Sequence, residues 1–92
     1  MSMTDLKMLT QDDICDLLKI SRDQVTMLRE VGIINAIKTG RNYMFSQQEI
    51  RIFQEKYKGY DISNRVKAIQ AYTAVETHKK EIWIKEHYEE RL

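Results

Sequence analysis

Proline is absent from this chain, and glycine occurs only at positions 32, 40 and 59. That excludes a proline-rich linker or a collagenous repeat, and it points to a helix-rich chain with a few sharply placed turns. Cysteine occurs once, at Cys15. One thiol cannot close an intrachain disulfide, and no secretory leader is read at the start, so a reducing cytoplasm is the expected setting. No apolar run approaches the roughly 20 residues of a membrane span. A strong charge of either sign is lacking too: 15 basic and 14 acidic side chains leave a formal net charge of +1. Any affinity for a polyanion must therefore come from a local cluster.

What is present is a series of start and stop signals. The 92 residues suffice for one compact domain. Residues 1–8 are unpatterned and read as a frayed start. Thr10 and Asp13 have capping-box spacing, and Ile14, Leu17 and Leu18 follow as one apolar face. Ser21 is the next N-cap, only three residues after Leu18, and Ile20 packs inward at the corner. Val25 and Leu28 point inward, Val31 closes the face, and Gly32 suits a helix C′ position. Two short helices joined by so tight a turn must cross steeply, which is helix-turn-helix geometry. Ile37, Tyr43 and Phe45 then favour strand around the turn-rich Thr39-Gly40-Arg41-Asn42, which predicts a small hairpin. Ser46 with Glu49 reads as a second capping box, Ile50 and Phe53 as the apolar face of that helix, and Gly59 as its end.

Residues 60–92 have no proline, no glycine and abundant helix formers. Ile62, Val66, Ile69, Tyr72 and Val75 form an apolar stripe, which lapses over residues 76–81 and resumes at Ile82, Trp83 and Ile84. One long helix or two shorter ones are both consistent with this. No internal repeat is seen. The expected fold class is mainly α with a small β-hairpin, divided into a flexible start (1–8), a domain over 9–59 and a C-terminal helical extension over 60–92.

Residues 8–58 resemble the excisionase-type, MerR-like winged helix-turn-helix domains of phage and mobile-element proteins. The stretches that carry the resemblance are Leu9-Thr10, then Leu17-Leu18-Lys19-Ile20-Ser21-Arg22 across the turn, and Val25. Gly32 with two apolar residues follows, then Lys38-Thr39-Gly40-Arg41-Asn42-Tyr43, and finally Ser46 with Glu49. Two positions depart from the family pattern: Met27 stands where a basic residue is common, and Asn35 where proline is frequent. The resemblance implies that the second helix enters the major groove of duplex DNA while the hairpin, as a wing, lies on the neighbouring backbone or minor groove.

The residue chemistry fits that expectation. With Val25 and Leu28 inward, Arg22, Asp23, Thr26 and Arg29 turn to solvent, and Gln24 and Met27 lie at the edges. Arg22 can donate two hydrogen bonds to guanine, Gln24 can pair with adenine, and Asp23 can accept from cytosine or complement the helix N-terminus. Thr26 can contact a thymine methyl or a phosphate. In the hairpin, Lys38, Thr39, Arg41 and Asn42 are placed for backbone or minor-groove contact. The bland reading of such charges is a solvated helix surface.

Other chemistry finds little support. His78 and His87 do not have zinc spacing, Cys15 reads as a buried structural thiol, and Asp12, Asp13 and Asp16 read as helix-start electrostatics. No phosphate loop or nucleophile elbow occurs. The expectation is a protein with no enzyme activity, no metal and no cofactor.

The resemblance implies an architectural role, bending DNA and assisting an integrase or other recombinase in excision, or regulating a promoter. A small terminase subunit that recognises DNA for packaging alongside a large terminase subunit is an alternative. A protein-interaction module that has lost DNA binding is another. Residues 1–59 carry nine basic and eight acidic side chains, so one copy should release few counterions and bind weakly. Cooperative assembly on DNA, or a homo-oligomer, would compensate. Ile69, Tyr72, Val75, Ile82 and Trp83 are the residues expected either to self-associate or to pack back on the domain.

Overall fold

The computed structural model describes residues 6–89, with side chains described through residue 78. The described residues form, in order, strand β1 (Leu9–Thr10), helices α1 (Gln11–Leu18) and α2 (Arg22–Val31), strands β2 (Ile37–Thr39) and β3 (Asn42–Phe45), and helices α3 (Gln47–Lys56) and α4 (Arg65–Glu89). The protein is thus mainly helical, with a small antiparallel sheet in the order β1-β3-β2. The frayed start read over residues 1–8 falls largely on residues 1–5, outside the described residues.

Each short helix starts on a side chain that satisfies an otherwise orphaned backbone N–H. The Thr10 hydroxyl accepts from Asp13 N–H at 3.1 Å and the Asp13 carboxylate accepts from Thr10 N–H at 2.9 Å, so the first capping box is present. Those contacts hold the Asp13 carboxyl below its usual range, the bond from the Thr10 N–H having the largest effect. At α2 the box is closed by Ser21 and Gln24, each receiving a hydrogen bond from the other's backbone at 3.2 Å. At α3 the expected box is only half made. Ser46 accepts from Glu49 N–H at 3.0 Å, but the Glu49 carboxylate accepts instead from Asn35 N–H and Nδ2. Glu49 fastens the approach to β2 onto α3, where a partner distant in sequence outcompetes the local one.

The turn between α1 and α2 depends on Lys19, whose φ of 58° closes α1 in the left-handed region. Gly32 (φ 101°) ends α2, as its position after Val31 predicts. Thr39 faces Asn42 across the hairpin, leaving a two-residue loop with Gly40 at φ 65° in its first position. β1 is the element that periodicity did not predict. Two residues suffice for it because Leu9 pairs with Phe45 and Thr10 with Met44, on the free edge of β3.

The core joins Ile14, Val25, Leu28, Ile34 and Phe45, the largest fully buried side chains, to Ile50 and Phe53 of α3, to Tyr57 at its C-cap and to Ala68, Ala71 and Val75 of α4. Full burial of each large apolar side chain contributes roughly 1.5–3 kcal/mol before entropy is counted. Burial pushes the Tyr57 hydroxyl up to about 12. Several inward assignments change. Leu17 is 56% exposed, Cys15 and Val31 are half-buried, and Met27 belongs to the core instead of the edge of α2. Ile37 is exposed although it lies in β2.

α4 is one continuous helix. It packs against α2 and buries its small residues Ala68 and Ala71 together with Val75. The stripe read from sequence lies partly on the wrong side: Val66 is 65% and Ile69 47% exposed. Alanine lets the two backbones approach closely, and a search for bulky apolar residues passes over it. Arg65 reaches Glu30 of α2 at 2.9 Å, and Asn64 caps α4 through Lys67 N–H at 2.9 Å. Ahead of it, the Asp61 carboxyl is lowered to about 2, first by the Ser63 hydroxyl, then by the Ser63 N–H and Lys67.

Candidate functional site

Val25 and Leu28 anchor α2 in the core. About 90–100° around the helix from them lie positions 22, 26 and 29, which the 100° step per residue brings within about 60° of one another. Arg22, Thr26 and Arg29 therefore form one row, and the row runs beside the hairpin. The Arg29 guanidinium carbon lies 3.9 Å from the centroid of the Tyr43 ring in β3, and Lys38 Nζ of β2 lies 5.8 Å from the same centroid. Tyr43 thus holds one cation from the helix and one from the hairpin against a single aromatic ring, an arrangement worth roughly 0.5–1 kcal/mol at an exposed site.

At the other end of the row, Arg22, Arg41, Asn42 and Tyr43 line a shallow depression of about 370 Å³ together with Thr10, Gln11, Asp12 and Met44. Arg22 Nε lies 3.4 Å from Asp12 Oδ1, and both side chains are about three-quarters exposed. An ion pair this exposed is worth at most about 1 kcal/mol, so an incoming anion can displace it. Gln11 spans the two helices. Its Nε2 donates to Thr26 Oγ1 at 2.9 Å and to the Arg22 carbonyl at 3.2 Å.

The structure therefore brings Arg22, Thr26, Arg29, Lys38, Arg41 and Asn42 to one side of the molecule, with Thr39 exposed in the same hairpin. Gln24 is not among them. Its side chain is taken up by the Ser21 cap and lines a separate, largely apolar groove of about 590 Å³ with Leu18, Ile20, Leu28, Phe53 and Ile62. The reason is angular, since position 24 is some 200° around the helix from position 22. Asp23 is exposed in the first turn of α2, where its charge complements the helix N-terminus.

Two residues at this site were not singled out from sequence. In the sequence Tyr43 reads as a strand former and as the end of the hairpin stretch that carries the family resemblance, and Gln11 is given no role. Their roles depend on contacts 14 and 15 residues away along the chain, which local pattern does not encode.

Of the residues expected to associate or pack back, Tyr72 and Val75 lie against the protein's own core, and a Cβ at Gly32 would sit 3.5 Å from the Tyr72 ring. Ile69 is on the surface. Ile82 and Trp83 lie outside the residues whose side chains are described. Among the described residues, no group of three or more His, Cys, Asp or Glu side chains is arranged to hold a metal ion, and no helix is long and apolar enough to cross a membrane.

No protein-family model, curated protein or solved structure matches this chain.

Proposed function

We propose that the protein binds duplex DNA as an excisionase-like winged helix-turn-helix protein. In this reading α1 and α2 are the helix-turn-helix, α2 enters the major groove, and the β2–β3 hairpin is the wing that follows the backbone or the minor groove. The observation that carries the reading is the Arg29–Tyr43–Lys38 stack. It joins the Arg22–Thr26–Arg29 row of α2 to the hairpin, so that cations from both elements meet one partner. With Arg22 and Arg41 at the far end of the same surface, four basic side chains stand out from a chain that is close to neutral. Local concentration of positive charge on a helix face and an adjoining hairpin is the electrostatic footprint of a phosphate-binding surface.

The role that follows is architectural: groove contacts and DNA deformation that assist a recombinase in excision, or that regulate a promoter, with no chemistry contributed by the protein. Fluorescence anisotropy with labelled duplexes at low salt tests the binding. The wild type should bind, and Arg29→Ala combined with Arg41→Ala should weaken binding at least tenfold while the thermal melt is retained. Absence of binding to any duplex at low salt would overturn the proposal. An excision assay with and without the cognate integrase then tests the architectural role.

A further inference from the structure

Gln11 and Thr26 form a pair whose hydrogen-bonding polarity is dictated by the fold. The Arg22 carbonyl can only accept, so the Gln11 amide must turn its NH2 group toward it. The same nitrogen lies 2.9 Å from Thr26 Oγ1. Both amide hydrogens are thereby engaged, and Oε1, which has no described partner, is left as an acceptor. Thr26 in turn accepts from Gln11 through its oxygen and keeps its hydroxyl hydrogen. A threonine inside a helix often donates that hydrogen to the carbonyl one turn back, as Thr73 does to Ile69 at 2.9 Å. Thr26 makes no such bond among the described residues. The pair therefore offers one donor, the Thr26 hydroxyl, beside one acceptor, Gln11 Oε1, in the row between Arg22 and Arg29.

We propose that Gln11 and Thr26 together read an adenine in the major groove, Thr26 donating to N7 and Gln11 Oε1 accepting from the N6 amino group. Adenine is the base that carries both an acceptor and a donor on its own major-groove edge. Guanine offers two acceptors, N7 and O6, and O6 would face Gln11 Oε1 with like polarity. Thymine and cytosine have no N7. The amide is held from two sides by α2 before any DNA arrives, so the contact needs little ordering on binding. This assignment rests on the DNA-binding reading and makes Gln11, a residue of α1, a specificity determinant for a surface otherwise built from α2 and the hairpin.

The test uses the full chain and a randomised duplex library. Selection should enrich an adenine at one position. In the selected duplex, 7-deazaadenine at that position, which removes the N7 acceptor, should weaken wild-type binding on the order of tenfold. It should cause no further loss in Thr26→Val. Purine at the same position, which lacks the amino group, should weaken the wild type similarly and leave Gln11→Ala unaffected. Circular dichroism melts establish that each variant is folded. If either variant does not fold, the scan of modified adenines on the wild type decides alone, and absence of a sensitive adenine overturns the inference. Equal losses in wild type and variants, or variants that weaken binding to all sequences alike, overturn it as well and assign the pair to phosphate contact or packing. A library that binds without enriching an adenine overturns this inference while leaving DNA binding intact. A library that does not bind at low salt overturns both.

Discussion

Asp12 is the residue that most alters the expected chemistry of the surface. It was assigned to helix-start electrostatics, yet its carboxylate sits 3.4 Å from Arg22 Nε at the edge of the basic row. Binding a phosphate near Arg22 must break that pair or tolerate an added negative charge. Asp12→Asn should therefore tighten DNA binding, by roughly three- to tenfold at low ionic strength, with the gain shrinking as salt screens it. Anisotropy titrations of wild type and variant at two salt concentrations measure this, and an unchanged or weaker affinity would show that Arg22 does not face the DNA. Asp61 gives a second residue-scale expectation. Its folded-state carboxyl is lowered to about 2 from an ordinary 3.8. A depressed carboxyl stabilises the fold above its unfolded value, and that stability disappears as pH falls through the folded value. The stability gap between wild type and Asp61→Ala should thus be full at neutral pH and narrow between pH 3.8 and about 2, as read from urea melts across that range.

At the scale of elements, the start signals were the most legible part of the chain. Thr10, Ser21 and Ser46 each cap the helix that follows them, because a cap is a contact over three residues and its rules are local. The partners of those caps were less legible. Glu49 turns to Asn35, and Gln24 is held at its own cap instead of joining the basic row. Lys19 shows the same limit. No glycine marks the α1–α2 turn, and the left-handed conformation falls on a lysine because the short connection demands it. β1 could not be read from two residues, since its strand character comes from pairing with β3. The α2–α4 contact yields a prediction of its own. Ala68 is fully buried where the helices approach, and Ala68→Leu should force them apart at a cost of about 1–3 kcal/mol. Chemical denaturation measures the loss. A neutral result would mean that α4 is docked loosely enough to shift.

At the scale of the whole molecule, near-neutral charge and a small basic surface limit what one copy can do. Four cations, Arg22, Arg29, Lys38 and Arg41, border the candidate surface. Each phosphate neutralised adds about −0.9 to the slope of log affinity against log salt concentration, so one copy should give a slope no steeper than about −4. Anisotropy titrations between about 50 and 200 mM salt measure the slope directly. A markedly steeper value would show that further copies or the C-terminal extension also contact the phosphates. That extension is anchored through Ala68, Ala71 and Val75, which uses part of the apolar stripe within the molecule and leaves Val66 and Ile69 on its surface.

The amino-acid sequence alone determined where the first three helices begin, where the hairpin turns and that Val25 and Leu28 of α2 point inward. Each of these follows from local backbone chemistry or from a fixed angular period. Only the tertiary structure decided which side chains meet across elements. It stacked Arg29 and Lys38 on Tyr43, set Asp12 against Arg22, bridged α1 to α2 through Gln11, and chose the alanine face of α4 over the bulky one. Those outcomes depend on how closely two elements approach, and that distance is set by the packing of the whole core.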